Sequence, residues 1–237
     1  MVAIVGRGNV ASHLFIALKD KVNVCLVNPH SLEGLPEKPE FILLAVSDNA
    51  IEEIVKKLPS SDSIIAHTSG SISIDSLKEK GKNYGVFYPL QTFTKGIELD
   101  YSEIPVFIEG SNSLTISKLK KLASLFTNDI READSEARRK LHLASVFACN
   151  FTNALAGVGK DLLEGTNIDF SALLPLMKQT VNKLQYLSPS EAQTGPAVRG
   201  DSIVMQKHLR MLQSNPLLQD IYNIFSTLIL NNHVSQI

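Results

Sequence analysis

Val2-Ala3-Ile4-Val5-Gly6-Arg7-Gly8-Asn9-Val10-Ala11 (VAIVGRGNVA, residues 2–11) is the stretch that decides the fold. An apolar run stops at a Gly-x-Gly-x-x-Ala turn and passes straight into helical spacing. Strand, turn and helix in that order are the context in which such a turn binds a dinucleotide. Gly6 permits the tight turn, Gly8 lets a pyrophosphate approach the main chain, and Ala11 is small enough for the helix to pack on the sheet. The free amides around Asn9 and Val10, at the positive helix end, would meet the phosphates. A tight strand–helix turn with no ligand uses the same residues.

Working outward, the next discriminating position ends the second strand. An acid there, about 20 residues past the glycines, takes the ribose hydroxyls of NAD. In VNVCLVNPHS, residues 22–31, Asn28 holds that place, and no carboxylate occurs before Glu33. An uncharged residue removes the repulsion that a 2′-phosphate would feel, and Arg7, His30 and Ser31 could bind that phosphate. NADP is therefore expected over NAD, although Asn28-Pro29 also reads simply as a turn signal.

About a dozen residues lead from this strand to Phe41, too few for a helical crossover and a further strand. The usual third strand is thus expected to be shortened or absent. Phe41–Val46 would cross to the other side of the first strand and create the switch point where ligands bind. At its end, Ala45 and Val46 could contact the cofactor through the backbone, and Ser47 beside it, while Ser47 or Asp48 caps the next helix.

The alternation continues. Strands are expected at 2–5, 22–27, 41–46, 63–67, 84–88, 104–108 and 129–132, and helices at 10–18, 49–57, 74–80 and 114–126. Beyond residue 130 the spacing is helical throughout, with helices at 135–164, 171–187, 202–213 and 217–230. The 135–164 stretch reads as one helix, or as two joined near Gly157-Val158-Gly159. The fold class is α/β: a doubly wound Rossmann-type parallel sheet over 1–130, followed by an all-helical domain over 131–237.

Bulk numbers set limits. Of 237 residues, 44% are hydrophobic and 20% charged, and the net charge is −1. That balance supplies no field for nucleic acid or an anionic membrane. No basic leader precedes the first strand, no apolar stretch is expected to reach membrane-spanning length, and no metal-ligand cluster stands out. Cys25 and Cys149 read as buried, inert thiols. A cytoplasmic protein acting on a small molecule is expected.

Further polar clusters fall on loops and one helix. His67, Thr68, Ser69 and Gly70 (HTSG) follow a buried strand and could hold a carboxylate or carbonyl; a polar turn explains them equally. In YPLQTF, Pro89 is expected to stop its strand. At about 100° per residue, Arg139, His142, Val146, Asn150 and Asn153 share one arc of the long helix, which suits the wall of a polar cleft or a satisfied interhelical network. In TGPAVRGD, Gly195-Pro196 turns the chain and Asp201 is placed to cap a helix. Arg199 could clamp a carboxylate or phosphate, or pair with a surface acid.

In this order, the glycine turn, LAVSDNAI, HTSGS, YPLQTF and TGPAVRGD resemble the uncharacterised Rossmann-like proteins with a helical C-terminal domain of unknown function. These sit near the deazaflavin-dependent NADP reductases in the 6-phosphogluconate dehydrogenase-like superfamily. The resemblance covers almost the whole chain. It implies an NADP-binding N-terminal domain and a homodimer through the helical domain. Characterised hydroxyacid dehydrogenases and ketopantoate reductases of that superfamily place a catalytic lysine one helical turn before an asparagine. With Asn150 as that asparagine, Val146 stands where the lysine would be. Pyrroline-carboxylate reductases of the same superfamily manage without it.

Two functions compete on these grounds. In the first, an NADP-dependent oxidoreductase passes hydride to or from a small acidic carbonyl or imine compound in an interdomain cleft. Arg199 would anchor the acidic group, Asn150 would orient the substrate, and His142, or else His67, would move the proton, with Ser69 close by. In the second, the protein is a non-catalytic NADP-binding sensor or regulator, which the missing lysine favours.

Overall fold

Why the sheet is buried on both faces is legible in its first strand. In β1 (Val2–Val5) all four residues are inaccessible to solvent. Val2 and Ile4 point into one core cluster, and Ala3 and Val5 into another on the opposite face. Side chains alternate across a strand, so a strand covered on both sides must be apolar at every position. The computed structural model describes residues 1–234.

The other strands are β2 (Val24–Val27), β3 (Phe41–Leu44), β4 (Ile64–His67), β5 (Tyr84–Pro89), β6 (Val106–Gly110) and β7 (Ile130–Glu132). The sheet order is β2-β1-β3-β4-β5-β6-β7. β1 pairs in parallel with β2 on one side and β3 on the other, so the switch point lies between β1 and β3, and among the described residues no strand lies beyond β2. The usual third strand, expected to be shortened or absent, is thus absent from the sheet. β6 runs antiparallel to β5, and β7 parallel to β6.

Helices α1 (Asn9–Leu18) and α3 (Ser113–Ala123) cover one face. Leu14, Leu18 and Leu119 join Ile4, Leu43 and Phe87 there. On the other face, α2 (Asp48–Lys57) supplies Ile51, Ile54 and Val55. Leu77 comes from the expected helix at Ile74–Lys80, which winds as a 3-10 helix. Ser73 caps it, and Gly81 ends it at a φ of 133°.

Register fixes what lies next to what. Val5 is level with Val27 and Leu44, and Leu44 with His67. The loops that follow these strands therefore share the carboxyl edge of the sheet. Ligands of open α/β sheets bind along that edge, at the switch point.

The chain divides into two compact units, Met1–Leu155 and the residues from Ala156 onward. The first unit runs past the sheet because α4 (Ser135–Ser145) is tied to it. The Arg138 guanidinium donates to the Ile72 carbonyl at 2.8 and 2.9 Å and to Glu109 Oε2 at 3.0 Å. The long helix is continuous but not uniform. Val146–Phe151 is a π-helical turn, and α5 (Thr152–Asp161) follows. The irregularity lies there and not at Gly157-Val158-Gly159.

Two corrections belong to this helix. By length and composition Ser135–Asp161 is long and apolar enough to cross a membrane, against the expectation that no stretch would be. Cys149 is exposed, not buried, and Cys25 is half-buried. The second unit continues with α6 (Leu174–Lys183), α7 (Ser202–Met211) and α8 (Pro216–Val234). Asp201 caps α7 as expected, accepting from the Val204 amide at 3.1 Å.

Candidate functional site

Gly6 is required by space as well as by conformation. Its φ is 152°, and an added Cβ would collide with the Ala45 carbonyl oxygen. The Gly6 amide donates to the Val27 carbonyl at 3.2 Å, which locks the turn to β2. Gly8 is different. It is the N-cap of α1 in an extended conformation, and an added Cβ would meet nothing within 4 Å. No side chain caps α1, and its first turn carries no acid. Its leading amides therefore face open space with the helix dipole behind them, an arrangement suited to an anion.

That open space is a cleft of about 380 Å³ bordered by Arg7, Gly8, Asn9, Val10, His30, Ala45, Val46 and Ser47. These are residues picked out from the sequence, and the structure brings them together. Gly6 lies buried beneath the turn. Asn28 uses its side-chain oxygen on the His30 amide at 3.0 Å, which shapes the turn that carries His30 to the cleft. Ser31 is exposed on the same loop and accepts from the Glu33 amide at 3.2 Å. Ser47 precedes α2 but makes no capping bond through its side chain, so its hydroxyl is not committed as a cap. The Asp48 carboxylate accepts a hydrogen bond from the Ser71 hydroxyl.

Sequence reasoning missed one carboxylate of the cleft. Glu53, on α2, also borders it. It is paired with Lys57, one helical turn on, at 2.6 Å. The Lys57 hydrogen bond and charge hold its carboxyl below the usual range. The periodicity of α2 marks Ile51, Ile54 and Val55 as its buried side, but gives no sign that Glu53 turns toward another loop.

The side-chain amide of Asn9 donates to the Phe93 carbonyl at 2.9 Å. His13, almost wholly buried, contacts the Thr94 carbonyl at 2.9 Å and the Tyr101 hydroxyl at 2.8 Å. A carbonyl only accepts, so Nε2 of His13 carries the proton and Nδ1 accepts from Tyr101. These three bonds fasten the long connection between β5 and β6 to the start of α1.

Further along the carboxyl edge, His67 ends β4 with no exposed surface. Its Nδ1 accepts from the Ser69 amide at 3.2 Å. Burial holds its pKa down to about 4, with the Arg138 charge acting in the same direction. It is a neutral core histidine at physiological pH. Ser69, also buried, accepts from the amides of Ser71 and Ile72, both at 3.1 Å, and so shapes the loop.

His142 comes to the same place from α4. It is half-buried, and its Nδ1 lies 3.2 Å from the Tyr88 hydroxyl at the end of β5. A Cβ on Gly70 would lie 2.7 Å from that nitrogen and 2.9 Å from Tyr88 Cζ. Tyr88, a partner 54 residues away in sequence, carries no local signal that would have found it.

A π-helical turn interrupts the regular helix on which His142, Asn150 and Asn153 are expected to share an arc. A π-turn closes i to i+5, so it holds an extra residue and rotates everything after it. Asn150 lies within that turn, and both Asn150 and Asn153 are exposed. The polar residue buried on α4 is Arg138, not Arg139. Arg199 is exposed in the second unit, in the turn before α7. Among the described residues, no group of three or more His, Cys, Asp or Glu is placed to hold a metal.

Set beside known proteins, residues 104–229 match the family described as Domain of unknown function (DUF2520). The structure is similar to that of the putative NADP oxidoreductase of Bacteroides fragilis, at 35% identity over 97% of each chain and a TM-score of 0.87. A protein of Thermotoga maritima shares 22% identity over 100% of this chain and 99% of its own, with a TM-score of 0.75. An imine reductase of Myxococcus stipitatus in complex with NADP+ shares the fold at 12% identity, covering 100% of this chain and 94% of its own, with a TM-score of 0.67. No curated protein matches the chain.

Proposed function

This chain belongs to the DUF2520 family, and from that premise we propose that it is an NADP-dependent oxidoreductase acting on a small carbonyl or imine compound. The observation that carries the reading is the open cleft at the uncapped start of α1, continuous with a glycine turn that leaves room for phosphate. Similarity to the putative NADP oxidoreductase of Bacteroides fragilis and to the Myxococcus stipitatus imine reductase in complex with NADP+ favours NADP. So does the neutral Asn28 at the end of β2.

The residues present fit the dinucleotide. The amides of Asn9 and Val10 and the room over Gly8 would take the pyrophosphate. Arg7, His30 and Ser31 would take the 2′-phosphate, with Glu53 neutralised by Lys57. Ala45, Val46 and Ser47 border the path toward the reacting end. When bound, the cofactor supplies or accepts hydride; the chain's own work is binding, orientation and proton transfer. His142 is proposed to move that proton, because it is half-buried, whereas His67 is enclosed and held neutral. Asn150 and Arg199 are proposed to orient the substrate and to bind its acidic group.

The protein is further proposed to act as a homodimer. Among the described residues from Ala156 onward, the buried side chains are Ala197 and Ser226. Leu176, Val181, Ile203, Leu217 and Ile224 are each more than 60% exposed. Helices with so much exposed apolar surface need a partner to bury it, and a second copy supplies the same apolar helices.

The test is a panel of small keto acids and imines, scored for NADPH oxidation. At least one should be reduced, and His142→Gln should slow that reaction by about 100-fold or more. NADPH binding without turnover of any member would favour the sensor reading, for which Val146 at the lysine position is the supporting observation.

A further inference from the structure

We propose that Tyr88 is a positioning residue for His142, engaging Nδ1 so that Nε2 is the nitrogen presented to substrate. This rests on the reading of His142 as the proton carrier. Three observations support it. The Tyr88 hydroxyl lies 3.2 Å from His142 Nδ1, and the two rings meet edge to face at 6.2 Å. Tyr88 itself is fixed: it is 8% exposed, it ends a central strand, and its ring packs against Phe107 at 6.4 Å. Gly70 closes the third side, since any Cβ there would push between the phenol and the imidazole.

The direction of the bond follows from the chemistry of the two groups. Burial raises the Tyr88 pKa above its ordinary value, so the phenol keeps its proton at neutral pH. An imidazole lone pair is a stronger base than a hydroxyl oxygen, so Tyr88 O–H donates to Nδ1 of neutral His142. The proton of the neutral ring is then confined to Nε2. When the ring gains a second proton, Nδ1 becomes a donor, and the phenolic oxygen can accept from it. The hydroxyl group thus serves both protonation states without a movement of either ring. The charged groups that act on Tyr88 are Arg138 and Asp48. Arg138 is paired with Glu109.

The experiment is nitrogen NMR of histidine-labelled protein, with His142 assigned by difference from His142→Gln. It reads the tautomer directly and needs neither cofactor nor turnover, so it stands apart from the test of the function. In the wild type, the His142 signals should report a protonated Nε2 and an unprotonated Nδ1. Tyr88→Phe keeps the ring packing and removes the hydroxyl; it should give a mixture of tautomers. Gly70→Ala should break the same contact from the other side and give a similar mixture. Tyr88→Phe spectra identical to wild type, or a wild-type ring protonated at Nδ1, would overturn the proposal. Should a turned-over substrate be found, Tyr88→Phe should lower kcat about tenfold with KM nearly unchanged, because a misplaced proton affects the reaction more than binding.

Discussion

A methyl group added at Gly6 meets the Ala45 carbonyl oxygen, whereas one added at Gly8 meets nothing within 4 Å. The two glycines of one turn therefore answer to different demands, the first to folding and the second to a ligand. Gly6→Ala should lower stability by roughly 3 kcal/mol or more, through strain and overlap. Gly8→Ala should leave stability within about 0.5 kcal/mol, as for a helix cap changed without a clash. Yet Gly8→Ala should weaken NADPH binding by about tenfold or more, equivalent to about 1.4 kcal/mol. Urea unfolding and calorimetry together separate the two effects. His67 makes a second residue-level prediction. Its pKa is about 4 in the folded chain, against about 6.5 unfolded. The unfolded chain takes up the proton first, so stability should be full above about pH 6.5 and fall as pH drops toward 4, by on the order of 3 kcal/mol. In urea titrations at pH 7 and 4.5, His67→Gln should show a smaller loss between the two pH values than the wild type; an equal loss would assign the pH dependence elsewhere.

Among the elements, those whose burial is settled by their own sequence were legible. β1, β3 and β4 are apolar at nearly every position, and the short path to Phe41 placed the switch point correctly. What escaped was decided by tertiary contact. The π-turn at Val146–Phe151 carries no distinct composition, so nothing in the sequence showed that a fixed 100° step breaks down between His142 and Asn153. The 3-10 winding of Ile74–Lys80 likewise reads simply as helix in sequence. Tyr88 and Glu53 point to the site only once strands and loops are set side by side. The β5–β6 connection offers a test at this scale. His13 holds it through Thr94 and Tyr101, and Phe93 lies 4.9 Å from the imidazole ring. His13→Ala should speed amide exchange across residues 91–100 and cost about 2 kcal/mol from the lost packing and hydrogen bonds. Unchanged exchange in that segment would show that other contacts hold it.

For the whole molecule, the two cores lie on the two faces of one sheet, and every cluster member precedes residue 130 or is Ile130. The helical second half was legible as helices, but its periodicity could not say what its apolar sides meet. Exposed Leu, Ile and Val on α6, α7 and α8 give the reason to expect a second copy. Sedimentation should find a dimer at micromolar concentration, and Leu176→Glu should shift it at least tenfold toward monomer. A wild-type protein that sediments as a monomer would remove that assignment.

The central claim, that the turn at Gly6–Gly8 and the start of α1 hold the diphosphate of NADP, is tested most directly by calorimetric titration of NADPH into the purified protein. Saturable binding of one NADPH per chain, tighter than NADH, is the predicted result. No uptake of either dinucleotide, reduced or oxidised, at millimolar concentration would contradict it.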